Sequence, residues 1–189
     1  VGLVSVLLLG LYEDKLGARF GFRVGRDDIR KVLSAVEERP HLVIHMPPSV
    51  SKERRAAIAD DHAFRLSQLL AVLEVDLDRS LHSYVYADSE QKARLMGGRD
   101  TMVAKPWLFE IHVHDPVAPH GTVPHELAHV VAARFASAPL YVSSRAGVFV
   151  NMGLVEGLAE AVTPPRGELD LDAWSKALGT LGMRPDMRR

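Results

Sequence analysis

The stretch His125-Glu126-Leu127-Ala128-His129 limits what this chain can fold into more than any other. Residues four apart on a helix share a face, so His125 and His129 can offer imidazole nitrogens to a single metal ion. Glu126 stands about 100° round the helix from His125, close enough to reach a water on that metal. The flanking residues are those of a helix. Thr122 is suited to cap it and Pro124 to sit in its first turn, while Leu127, Val131 and Phe135 give it an apolar stripe to bury.

Two histidines leave a metal short of a third protein ligand. The metzincin pattern takes that ligand from the same segment, with glycine at position 132 and histidine at position 135. Ala132 and Phe135 exclude it. The other solution is a glutamate from a second helix, and residues 151–162 supply one. Asn151 can cap this helix and Pro164-Pro165 close it. Leu154, Val155, Leu158 and Val162 form the stripe expected to be buried; Gly153, Glu156, Gly157 and Glu160 form another face. Glycine inside a helix costs about 1 kcal/mol, so two on the acidic face predict close approach by another backbone. The histidine helix is the candidate, because Ala128 and Ala132 keep it slim. Spacing alone allows either Glu156 or Glu160 as the ligand.

Together, His125-Glu126-Leu127-Ala128-His129 and Val155-Glu156-Gly157-Leu158-Ala159-Glu160 resemble the gluzincin zinc metallopeptidases, the group of thermolysin and the zinc aminopeptidases. Within that group the resemblance is to the bacterial peptidase-MA-like domains. It spans residues 41–182, and only the two helical motifs are specific. The resemblance implies a zincin-like fold and one zinc ion per chain on His125, His129 and Glu156, with Glu126 as general base. It places the ligand at the glutamate before glycine, and gives Glu160 the task of orienting a zinc-bound histidine. It implies a peptide or protein substrate, and a second electrophile for which Tyr141 and Arg145 are the candidates. In that family further helices follow and close the cleft, so the domain is expected to be cut short at its C-terminus. A zinc-binding module that no longer cleaves, serving as a sensory or protein-binding domain, is the alternative. The presence of Glu126 argues for the enzyme.

The remaining sequence reads as an α+β domain with a small mixed sheet packed on helices. Ile29, Val32, Leu33 and Val36 predict a short helix ending near Pro40, and residues 41–46 a strand. Ser51 caps a long helix to about Val75 whose apolar positions are Ile58, Phe64, Leu66, Leu69, Leu70 and Leu73. Residues 81–87 form another strand, and Asp88 with Gln91 opens a helix closed by Gly97-Gly98. Residues 107–114 alternate, with Trp107, Phe109, Ile111 and Val113 on one side and Leu108, Glu110, His112 and His114 on the other. This predicts an edge strand bordering the cleft, where Glu110 and His112 meet substrate. The other histidines, His41, His45, His62, His82 and His120, show no spacing that ties them to the motif. They read as surface or satisfied polar groups.

Residues 1–28 form an apolar, juxtamembrane lead-in to the domain at 29–189. Residues 1–12 are almost wholly apolar but too few to span a bilayer, which takes about 20. They suit a buried core element, the end of a transmembrane span that tethers the domain, or a signal-peptide remnant. Gly17, Gly21 and Gly25 recur at helix-packing spacing, but Arg19 and Arg23 between them oppose a lipid-buried face. The expected location is membrane-associated or extracytoplasmic. The net charge of −1 gives no case for nucleic acid. Without cysteine, any metal site must use histidine and carboxylate.

Overall fold

Alternation along three strands divides the molecule into two faces. In the computed structural model, which describes residues 24–137, 141–145, 149–163 and 171–183, the strands are β1 (Ala35–Arg39), β2 (Leu42–Met46), β3 (Leu81–Tyr86), β4 (Val103–Lys105) and β5 (Glu110–His114). They form one mixed sheet in the order β1-β2-β3-β5-β4. The β2, β3 and β5 strands run parallel, and β1 and β4 are antiparallel edges. The fold is α+β, with six helices among the described residues. The residues 1–12 and the glycines at 17 and 21 lie outside the described residues.

The front face carries Leu42, Ile44, Met46, Leu81, Val85, Ile111 and Val113. These pack with Ile58, Leu66 and Leu69 of α2 (Lys52–Leu73) and with Leu127, Val130 and Val131 of α4 (Val123–Val131). The back face carries Tyr84 and Tyr86, covered by Ile29 of α1 (Arg26–Val32) and by Leu33. Parallel strands covered on both sides are the arrangement such strands require. A short helix, α3 (Ser89–Leu95), follows β3. The chain continues through β6 (Ser144–Arg145), β7 (Phe149–Val150), α5 (Met152–Val162) and α6 (Leu171–Thr180). Among the described residues, no helix is long and apolar enough to cross a membrane.

Several caps form as the sequence predicts. The Ser51 side chain accepts from the Arg54 amide and the Asp88 side chain from that of Gln91. Gly97 and Gly98 both take the left-handed conformation after α3.

Other elements differ. The first helix is shorter than its apolar spacing suggests, because Val36 belongs to β1, whose residues alternate between more and less exposed. A turn at Pro40 and His41, with φ of 59° at His41, folds β1 back on β2. Phe64, expected on the buried stripe of α2, is 56% exposed. Residues 107–109 are not strand. Pro106 opens a 3-10 turn over Pro106–Leu108, Phe109 is left-handed at φ 61°, and β5 starts only at Glu110. Nor is β5 an edge, because β4 pairs along its outer side.

Candidate metal centre

Pinning of its first turn aims α4. The Thr122 side chain makes no cap bond, contrary to expectation; its hydroxyl lies 3.0 Å from Nδ1 of His120. Nε2 of His120 lies 2.8 Å from the His114 carbonyl. A carbonyl only accepts, so Nε2 carries the proton and Nδ1 is the acceptor for Thr122. Asp61 of α2 accepts from the His120 amide at 3.0 Å. The start of α4 is thereby tied to both β5 and α2. Leu127, Val130 and Val131 bury one side of the helix, leaving His125 and His129 together on another. The expected stripe ends early. The helix tightens into a 3-10 turn over Ala132–Phe135, and Phe135 is exposed.

Asn151 starts α5 by accepting from the Leu154 amide at 3.2 Å, and α5 packs against α4. Its packing is thinner than its sequence suggests. Ala159 alone is fully buried among its described residues, Leu154 is exposed, and Val155, Leu158 and Val162 are half-buried. A Cβ on Gly157 would meet nothing within 4 Å, so no backbone approaches there and the glycine is not explained by packing.

Across this contact three donor atoms converge. Nε2 of His125 lies 3.1 Å from Nε2 of His129 and 3.2 Å from Oε2 of Glu156. The third side, from Nε2 of His129 to Oε2 of Glu156, is 3.6 Å. Zinc held tetrahedrally at about 2.1 Å from its ligands sets them about 3.4 Å apart, so the triangle has the size of one face of that tetrahedron. Nδ1 of His125 lies 3.0 Å from Oε1 of Glu160. The contact is within ion-pair distance but does not meet hydrogen-bond geometry. Burial holds the His129 imidazole below the usual histidine range and the charge of His125 adds to this, against the attraction of Glu156 and Glu160. Neutral imidazoles and a carboxylate oxygen are a donor set that fits zinc, with no thiolate needed.

The three residues line a cavity of about 570 Å³ together with Glu126, which is buried. Thr101, Met102, Val103 and Ala104 form another wall of that cavity, so the sheet edge beside the site is β4. Glu110 and His112, expected at a cleft-side edge, are buried on the back face instead. There Glu110 pairs with Arg26 at 2.6 Å and receives the Tyr84 hydroxyl at 3.3 Å, while the Tyr86 hydroxyl lies 2.9 Å from Nδ1 of His112. The alternation is the expected one, with Ile111 and Val113 facing front; β5 is an interior strand, so its other side lies on the covered back of the sheet and not at a cleft edge.

Tyr141, left-handed at φ 53°, lines a neighbouring cavity of about 610 Å³ and another beside Asp78, but not the one holding His125. Arg145 lies on β6, and its side chain is outside the described residues. Of the other histidines, His45, His62 and His120 are buried, and two of these are satisfied polar groups, His62 bonded to the Ile58 carbonyl and His120 to Thr122 and the His114 carbonyl. Two features of the cavity wall escape the sequence reading. The strand β4 is only three residues long and carries no alternation to detect, and Lys92, wholly buried behind that wall, sits in an ordinary helical pattern. The chain matches no protein-family model and no curated protein.

Proposed function

We propose that this chain is a zinc-dependent metallopeptidase domain of zincin-like fold, binding one Zn2+ through His125, His129 and Glu156. The observation that carries the reading is the convergence of those three donors, all within 4.8 Å of one another, in one cavity with a buried Glu126. Zinc, when bound, supplies Lewis acidity that lowers the pKa of water to about 7 and polarises a carbonyl. Glu126 is the general base: it takes the proton from the attacking water and passes it to the leaving amine. Glu160, 3.0 Å from Nδ1 of His125, is placed to orient that ring when the ion is bound. Among the described residues β4 is the edge of the sheet beside the cavity, which favours an extended peptide over a small molecule as substrate.

Metal analysis of the desalted protein should find about one zinc per chain. His129→Ala retaining full zinc content would sink the assignment. With metal present, a peptide library should be cleaved, and Glu126→Gln should keep its zinc while hydrolysis falls about 100-fold or more. If wild type and variant hold zinc and are equally inactive, the chain is a binding module rather than an enzyme.

A further inference from the structure

Lys92 is the one lysine that is fully buried among the described residues. It sits in the second turn of α3, a helix fixed at its start by two bonds. Asp88 accepts from the Gln91 amide at 2.7 Å, and the Gln91 side chain accepts from the Ala87 amide at 2.8 Å. A lysine placed merely to finish a helix would bond that helix's own last carbonyls. The Lys92 ammonium reaches past them. It donates to the Gly98 carbonyl at 2.5 Å and to the Thr101 carbonyl, both in the segment that leads into β4. Gly98 turns that segment at φ 62°, and a Cβ built there would lie 3.6 Å from the Thr101 hydroxyl, 3.8 Å from the Lys92 nitrogen and 3.9 Å from Val103. Ammonium, turn and strand entry therefore form one packed unit. The far side of that unit, at Thr101, Met102 and Val103, is the cavity wall facing His125 and Glu126.

We propose that Lys92 is a positioning residue for the cleft, clamping residues 98–101 so that the edge β4 is held at a fixed distance from the histidine helix. An ammonium donates only, and its three protons suit two converging carbonyls, which no apolar side chain can satisfy. Burial pulls the Lys92 pKa down, and attraction to Glu126 and Asp100 opposes this, with Lys105 acting in the same direction as burial. The charge is thus accommodated by the cleft it supports. The part concerning substrate rests on the peptidase reading; the clamp itself does not.

The test compares the full chain with Lys92→Met, which fills the same space and donates nothing, and with Gly98→Ala. Gly98 is exposed, so Gly98→Ala folds even if Lys92→Met does not, and its left-handed turn is lost. Amide hydrogen exchange should speed up about tenfold or more at residues 101–105 in either variant, while β3 and α4 stay protected. For peptide hydrolysis, KM should rise several-fold with kcat within about a factor of two, and zinc content should not change. Unchanged exchange at 101–105 overturns the proposal, as does a loss of kcat at constant KM or a loss of zinc. A wild-type chain that binds zinc but cleaves nothing defeats the peptidase reading, and the exchange result then decides the clamp alone.

Discussion

Glu156 and Glu160 stand one helical turn apart and touch the same ring from two sides. Oε2 of Glu156 faces Nε2 of His125, whereas Oε1 of Glu160 faces Nδ1. On the proposed zinc site that difference gives each a separate task, and it predicts unequal losses. Glu156→Ala removes a donor to the metal and should abolish tight zinc binding. Glu160→Ala leaves the donors in place and should weaken affinity roughly 10- to 100-fold. Zinc titration of both variants in competition with a chelator checks the order, and the reverse order would exchange the two roles. The sequence could name both carboxylates but could not choose between them, because helical spacing puts them on one face at equivalent positions. Only the direction from which each reaches His125 separates them. Lys92 was illegible for a related reason: its helix position is unremarkable, and its acceptors are carbonyls that no sequence pattern marks.

At the level of elements, capping and apolar spacing were the legible signals, and they located α2, α3 and α5 correctly at their starts. Ser51, Asp88 and Asn151 all accept the amide expected of them. Thr122 does not, because His120 engages its hydroxyl. Asn151→Ala should therefore cost about 1 kcal/mol in unfolding free energy, whereas Thr122→Ala should not show a cap's loss. Denaturant unfolding of the two variants measures this directly. Short strands were the blind spot. The β4 strand spans three residues and β1 carries Glu37, Glu38 and Arg39, so neither shows the apolar alternation by which strands are recognised. In β5 the alternation was real, but Pro106 and the left-handed Phe109 began the strand later than the pattern did. The edge role accordingly passed to a neighbour that pattern reading could not see.

Over the whole molecule, the two faces of the sheet differ in chemistry. Apolar packing fills the front, while rings of His45, Tyr84 and His112 stack across the back at centroid distances of 4.8 and 5.0 Å. Burial pushes His45 down to about 4, aided by His82 and Arg30; burial also pushes His62, inside α2, down to about 4 against its bond to the Ile58 carbonyl. Both have an ordinary value of 6.5, to which they return when the chain unfolds. Between the folded and unfolded values the unfolded chain binds more protons, so stability is fully present above that window and falls as pH drops through it. For the wholly buried His62 the loss is on the order of 3 kcal/mol. Urea unfolding across pH values from about 7 to 4 should show the decline, and His62→Leu should make it shallower, His45 keeping the remainder; a flat wild-type profile would refute the assignment. The metal triangle has a further consequence at this scale. His125 and Glu156 are 31 residues apart, on helices whose mutual packing buries little of α5. A zinc ion held by both, as proposed, would be a removable cross-link that ties off the intervening chain, lowering the entropy of the open state as a disulfide would. On that reading, occupancy by the ion and resistance of the folded chain to a protease should rise and fall together, so that a chelator alone lowers both.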